Sequence, residues 1–280
     1  GNHDVNNPHA KIYDGDNTKR TTTITAYDFT HIYNDYGYGE ALAKDAYSLS
    51  YVAQIDAKTR LIAVDACRYA DNDFDNDVCV TAGRIKPQTM DFIKTETDKA
   101  HKLGMEVIMM MHHGIVSHFG WQDKIMEEYL VDNWKKDARK LAKMGIKVCF
   151  TGHFHAQDIS ERYGLTDIET GSTISYPHSY RLIDVDTNNG TLHIRSEKIL
   201  SLTSMKNSSE TLQQKSERFA SSALSSVMET MVPKKVPMDV KTECAKVLGE
   251  AYAMHLAGDE QPSDDYKSRL KTAVKPLRHY

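Results

Sequence analysis

Three short stretches carry the residue types that hold metal ions. "GNHD" opens the chain with Asn2, His3 and Asp4 in a row, "MMHHG" places His112 after an apolar run, and "TGHFH" sets His153 and His155 two residues apart. Imidazole nitrogen suits Zn, Fe, Mn and Ni, whereas a neutral Asn carbonyl suits harder metals and leaves room for an anionic substrate. Each stretch alone is weak, because the chain has 13 histidines and a histidine at a strand end is more often a satisfied polar residue than a ligand. Their conjunction points to a metal centre. Gly152 fits that reading, since a residue without Cβ lets the backbone come close to an ion.

The elements that would position these residues follow from periodicity. "YSLSYVAQID" and "RLIAVDAC" alternate around the turn "AKT" and predict a β-hairpin. A helix from Pro87 to Leu103 comes next, with proline at its first turn, Met90, Ile93, Ala100 and Leu103 on one face, and Gly104 as its stop. "MEVIMMMHH" then reads as a strand buried on both faces. The unit repeats with a second helix over Asp123 to Met144 and the strand "IKVCFTGHFH". Both strands end in histidine. Such alternation predicts an α/β layered architecture, in which functional groups gather beyond the carboxyl ends of the strands. Short strands follow at 167–170 and 181–186, and "NNG" turns the chain into the returning strand "TLHIRSEKI". From about Ser201 the composition shifts to Ser, Lys, Glu and Ala. Two amphipathic helices separated by "VPKKVP" are expected there. The division expected is therefore 1–200 for the sheet domain and 201–280 for a helical appendage.

Composition excludes several classes of function. In 280 residues, 40% are apolar and 26% charged, enough for a sizeable core. The net charge of −4, with Lys and Arg dispersed, gives no basic face for nucleic acid. Apolar runs such as Val107–Met111 are far too short to cross a bilayer, so no transmembrane segment is expected. Cys67, Cys79, Cys149 and Cys244 show no CxxC spacing. Cys67 and Cys79 flank one loop and either pair in an oxidising compartment or remain thiols, the second being the preferred reading. The compartment itself is not legible.

The order "GNHD", histidine-ended strand, "GHFH" resembles the calcineurin-like metallophosphoesterases over about Gly1 to Ile199. The resemblance implies a four-layer α-β-β-α sandwich with a dinuclear metal site at the strand ends. It implies Asn2, His112 and His153 as ligands of one ion and His155 as a ligand of the other. His3 would face the phosphate and protonate the leaving oxygen, and Asp4 would orient His3. The cofactors implied are two divalent or trivalent ions (Mn, Fe, Zn or Ni), roughly 3.5–4 Å apart and sharing a hydroxide. The partner implied is a small phosphomonoester or phosphodiester.

Two further family motifs, of the form DxH and GDxxD, precede GNHD in the family and are missing here. The expectation is an N-terminally truncated chain, incomplete in its sheet, inactive by itself, and with an open apolar groove beside the strands Val107–Met111 and Val148–Phe150. Substrate choice is less legible. The tyrosine-rich stretch "YDFTHIYNDYGYGEALAKDAY" either covers the metals or packs its own aromatics as a surface loop. His113, His118, Trp121 and His178 either line a pocket or serve loop packing. A second function class also stands: a non-catalytic scaffold of metallophosphoesterase-like fold.

Overall fold

A short exposed hairpin leads the computed structural model, which describes residues 1–258 and 261–279. Its strands, β1 (Lys11–Asp14) and β2 (Asn17–Arg20), turn through Gly15 at a φ of +56°. Helix α1 (Ala26–Ile32) starts at Thr25, whose hydroxyl and backbone exchange hydrogen bonds with Asp28 in a capping box. The tyrosine-rich stretch is largely folded onto itself. Phe29 packs on Tyr33 and Tyr38, Tyr38 on Tyr51, and the Tyr38 hydroxyl donates to Leu49 O at 2.9 Å. Tyr27, Tyr36 and Tyr47 remain exposed.

The chain then builds one seven-stranded mixed sheet from β3 (Ala43–Lys44), β4 (Tyr51–Gln54), β5 (Thr59–Val64), β6 (Glu106–Met111), β7 (Val148–Thr151), β8 (Ile159–Arg162) and β9 (Leu165–Glu169), with spatial order β3-β4-β5-β6-β7-β9-β8. The hairpin β4–β5 is antiparallel, as its alternation predicts. The pairs β5–β6, β6–β7 and β7–β9 are parallel, and β8 closes the far edge antiparallel to β9. Crossover helices make the β5–β6 and β6–β7 pairs possible, whereas β7 connects to β9 by way of the edge strand β8. Helix α2 (Pro87–Lys102) carries Met90, Ile93 and Ala100 into the core, where they meet Ile62, Val107 and Met109. Each fully buried Ile or Met there contributes about 1.5–3 kcal/mol of transfer free energy. The mixed α/β class is thus established by the sheet and its helices.

Three expectations are corrected. Strand β6 is not buried on both faces: Val107, Met109 and Met111 are inside, whereas Met110 is 37% exposed. Among the described residues both strands also have paired neighbours on each side, since β6 lies between β5 and β7, and β7 between β6 and β9. The second helix is also broken. Helix α3 (Gln122–Ile125) gives way to a 3-10 turn at Glu127–Tyr129, and α4 (Trp134–Lys143) begins only after Asn133 at a φ of +59°. Between them Leu130 bridges Gly114 and Val131 bridges Gly83. Backbone pairing to two other segments outweighs helical continuity there.

This first unit comprises residues 1–154 and 159–169; a second comprises 155–158 and 170–280. The second unit contains the hairpin β10 (Ser179–Asp186) and β11 (Thr191–Lys198), turned by Asp186, Asn188, Asn189 and Gly190. It also holds helices α5 (Leu212–Met231), α6 (Met238–Ala257) and α7 (Asp264–Val274). The third helix is additional to the two the sequence predicts. Val232, Val236, Cys244, Val247, Tyr266 and Ala273 form its core. Segment 155–158 belongs here because Gln157 N donates to Leu256 O at 3.2 Å and its side-chain Oε1 accepts from Gly171 N at 2.8 Å. Among the described residues no helix is long and apolar enough to cross a membrane.

Candidate metal centre

Strands β6 and β7 run parallel, so their carboxyl ends deliver His112 and His153 to the same sheet edge. The two motifs are also tied through the main chain: Gly152 N and His153 N both donate to His112 O, at 3.1 and 2.9 Å. The imidazole rings lie 4.5 Å apart between centroids. Asn2 joins them from the start of the chain. It is 1% exposed, and its Oδ1 accepts a hydrogen bond from His112 Nε2 at 2.8 Å. Gly1 allows this approach, since a Cβ built there would stand 2.7 Å from His112 Cε1.

Asn2 and His112 present donor atoms at a spacing that a cation can span. Two donor atoms 2.8 Å apart match the edge between neighbouring ligands of an octahedral ion with bonds of about 2.1 Å. The Asn2 Nδ2, a hydrogen-bond donor and so not a cation ligand, is buried without a hydrogen-bond partner. The donor set is nevertheless neutral throughout. Among the described residues no three His, Cys, Asp or Glu side chains meet at metal-holding distance. Such a set holds a divalent ion less tightly than one that includes a carboxylate.

The remaining predicted residues lie as follows. His155 is exposed and belongs to the second unit, where its backbone adopts a φ of +63°. His3 is exposed, with Nδ1 3.8 Å from Cys79 Sγ. The Asp4 carboxylate pairs with the Gly1 amine. Cys67 and Cys79 are both free thiols.

Neighbouring histidines have structural partners. His113 is fully buried, with Nε2 2.8 Å from Thr81 O, and burial lowers its pKa to about 4, so the ring is neutral. His118 is buried, its Nε2 3.5 Å from Asp167 Oδ2 and 3.8 Å from Glu169 Oε2. Trp121 is 78% exposed. In the second unit His178 is buried, with Nδ1 3.1 Å from Thr173 O.

Three residues near the centre escape the sequence reading. The Tyr129 ring stands 4.8 Å from that of His153, and Asp167 and Glu169 are buried carboxylates on β9. Their only signal is the alternation Leu165, Asp167, Glu169, which equally describes a solvated strand face. A separate open cleft of about 900 Å³ holds none of the candidate ligands. Arg84 and Lys135 on its wall are already paired with Asp132 and Asp123, at 2.8 and 2.7 Å.

No family model matches the chain, and no curated protein matches it in sequence. It is similar to the solved structure of a dimetal phosphatase from Danio rerio, at a TM-score of 0.35 and 12% identity over 47% of this chain and 52% of that one. It is also similar to a Staphylococcus aureus protein assigned as a 5'-nucleotidase, at 0.32 and 12% identity over 64% of this chain. The chain spans about half the length of the first of these proteins (52%) and 34% of the second.

Proposed function

We propose that this chain serves metal-dependent hydrolysis of small phosphomonoesters or phosphodiesters. Asn2, His112 and His153 would hold one ion, and His155 would contribute to a second. The observation that supports this is the meeting of Asn2 Oδ1 and His112 Nε2 at 2.8 Å beside the His153 ring, from segments far apart in sequence. A bound divalent ion supplies a Lewis acid for phosphoryl oxygens. The side chains of the protein do the rest. Asn2 Oδ1 and His112 Nε2 would be the atoms turned to such an ion, with the His112 proton then carried on Nδ1. His3, whose Nδ1 lies 3.8 Å from the Cys79 thiol, would donate a proton from Nε2 to the leaving oxygen as a general acid.

The test is calorimetric titration with Mn²⁺, alongside turnover of nitrophenyl phosphate. The expected outcome is one weak binding event, slow turnover, and loss of binding in His112→Ala and His153→Ala. Binding that survives both substitutions would overturn the assignment. A second reading, a non-catalytic scaffold of metallophosphoesterase-like fold, is favoured by the lack of any three-membered His, Cys, Asp or Glu cluster among the described residues. It predicts no Mn²⁺ binding and no turnover.

A further inference from the structure

Asp167 is fully buried, yet it is a carboxylate on an inner strand of the mixed sheet, paired parallel with β7 and antiparallel with β8. Its contacts account for that. On β9 it stands in register with Cys149 of β7, and its Oδ1 reaches forward to accept the Thr151 hydroxyl at 2.5 Å. Thr151 is two residues before His153. Its Oδ2 accepts two consecutive backbone N–H groups, Ile115 at 2.7 Å and Val116 at 3.0 Å. Those amides begin three residues after His112. One carboxylate therefore fastens the segment leaving β6 and the end of β7, the two places that carry the imidazoles.

Space around it is tight. A Cβ at Gly114 would lie 3.1 Å from Leu130 and 3.7 Å from Asp167 Oδ2. The loop from His112 to Val116 has little freedom while the carboxylate holds it. Three hydrogen-bond donors converge on one buried carboxylate, and His118 Nε2 stands 3.5 Å from its Oδ2 as well. Removing the anion strands two backbone N–H groups in a dry site.

We propose that Asp167 is the positioning residue of the metal centre, setting the separation of His112 and His153 from outside the ligand set. The proposal rests on the metal-binding reading above. Groups that orient ligands in this way commonly carry ten- to a hundredfold in metal affinity. Asparagine can replace the carboxylate: its Oδ1 accepts from Ile115 and Val116, and its Nδ2 donates to the Thr151 oxygen.

The experiment compares the parent chain with D167A, D167N and T151V by Mn²⁺ calorimetry, thermal unfolding and the imidazole ¹⁵N resonances of His112. D167A is expected to bind Mn²⁺ at least about tenfold more weakly, at a temperature where it is still folded. Its His112 Nε2 resonance should lose the signature of the hydrogen bond to Asn2. D167N should restore both. A D167A variant with a lower melting temperature but parental affinity and a parental His112 resonance would reduce Asp167 to a structural role and overturn the proposal. Should D167A not fold, T151V decides: weakened Mn²⁺ binding supports the proposal and parental binding overturns it. Should the parent bind no Mn²⁺, the hydrolase reading fails, and the His112 resonance alone decides whether Asp167 positions the ring.

Discussion

Cys67 lies two residues past Asp65, which accepts its backbone N–H at 2.9 Å. Burial, with Asp65 second, pushes its thiol pKa up to about 12. At pH 8 the thiolate fraction is then on the order of one in ten thousand, against roughly a quarter for an ordinary cysteine. Iodoacetamide should leave Cys67 unmodified in the native chain and alkylate it readily in guanidinium, as mass spectrometry of tryptic peptides would read; rapid native alkylation would contradict its placement. His3 permits a sharper test of role. If it protonates a leaving alkoxide, His3→Ala should slow an alkyl phosphate by about 10²–10⁴-fold while sparing nitrophenyl phosphate, whose leaving group hardly needs the proton. Equal losses on the two esters would remove the assignment. At this scale the sequence was informative about donors and silent about what holds them. Asn2, His112 and His153 stand out as candidates by chemistry and strand-end placement, whereas Asp167 is one of two acidic residues in a short strand, and only the fold reveals its three hydrogen-bond donors.

Among the elements, regular stretches were readable because one force dominated each. Helix α2 has its proline, its apolar stripe and its stop at Gly104, whose φ is +69°. The expected helix over 123–144 failed because Met126 and Leu130 recur at helical spacing for another reason. Both are buried from a turn and a bridge, Leu130 against Gly114 and Val131 against Gly83. Gly83 is the tightest point of that crossing. A Cβ there would stand 2.5 Å from His113 Cγ, and the ring is held by Thr81 O and flanked by His112 and His153 at 5.1 and 4.7 Å. Gly83→Ala should therefore destabilise the chain by about 1–3 kcal/mol through overpacking. The midpoint of urea unfolding measures it, and an unchanged midpoint would mean that the ring has room to retreat.

At the scale of the whole molecule, the division by internal contacts falls at residue 170 and takes 155–158 with the second unit. The hairpin β10–β11 was legible from its "NNG" turn and the helices from the composition shift near Ser201, but neither signal showed that the hairpin and Gln157 group with the helices, since composition does not record which segments pack together. A single residue tests the independence of that second unit. Gly249 in α6 faces Ser225 of α5, and a Cβ there would lie 2.5 Å from Ser225 Oγ and 2.7 Å from Ser225 N. Backbone cannot yield as a side-chain tip can. Gly249→Ala raises helix propensity by roughly 1 kcal/mol, yet the clash with main-chain atoms should outweigh it and give a net loss. Gly249 and His112 belong to different units, and if those units are independent the effects should be separable. The expected result is earlier thermal loss of helical circular dichroism with the His112 Nε2 resonance unchanged below the transition. A stabilised variant would show that α5 and α6 can spread apart at this contact. A shifted His112 resonance would show that the two units are coupled.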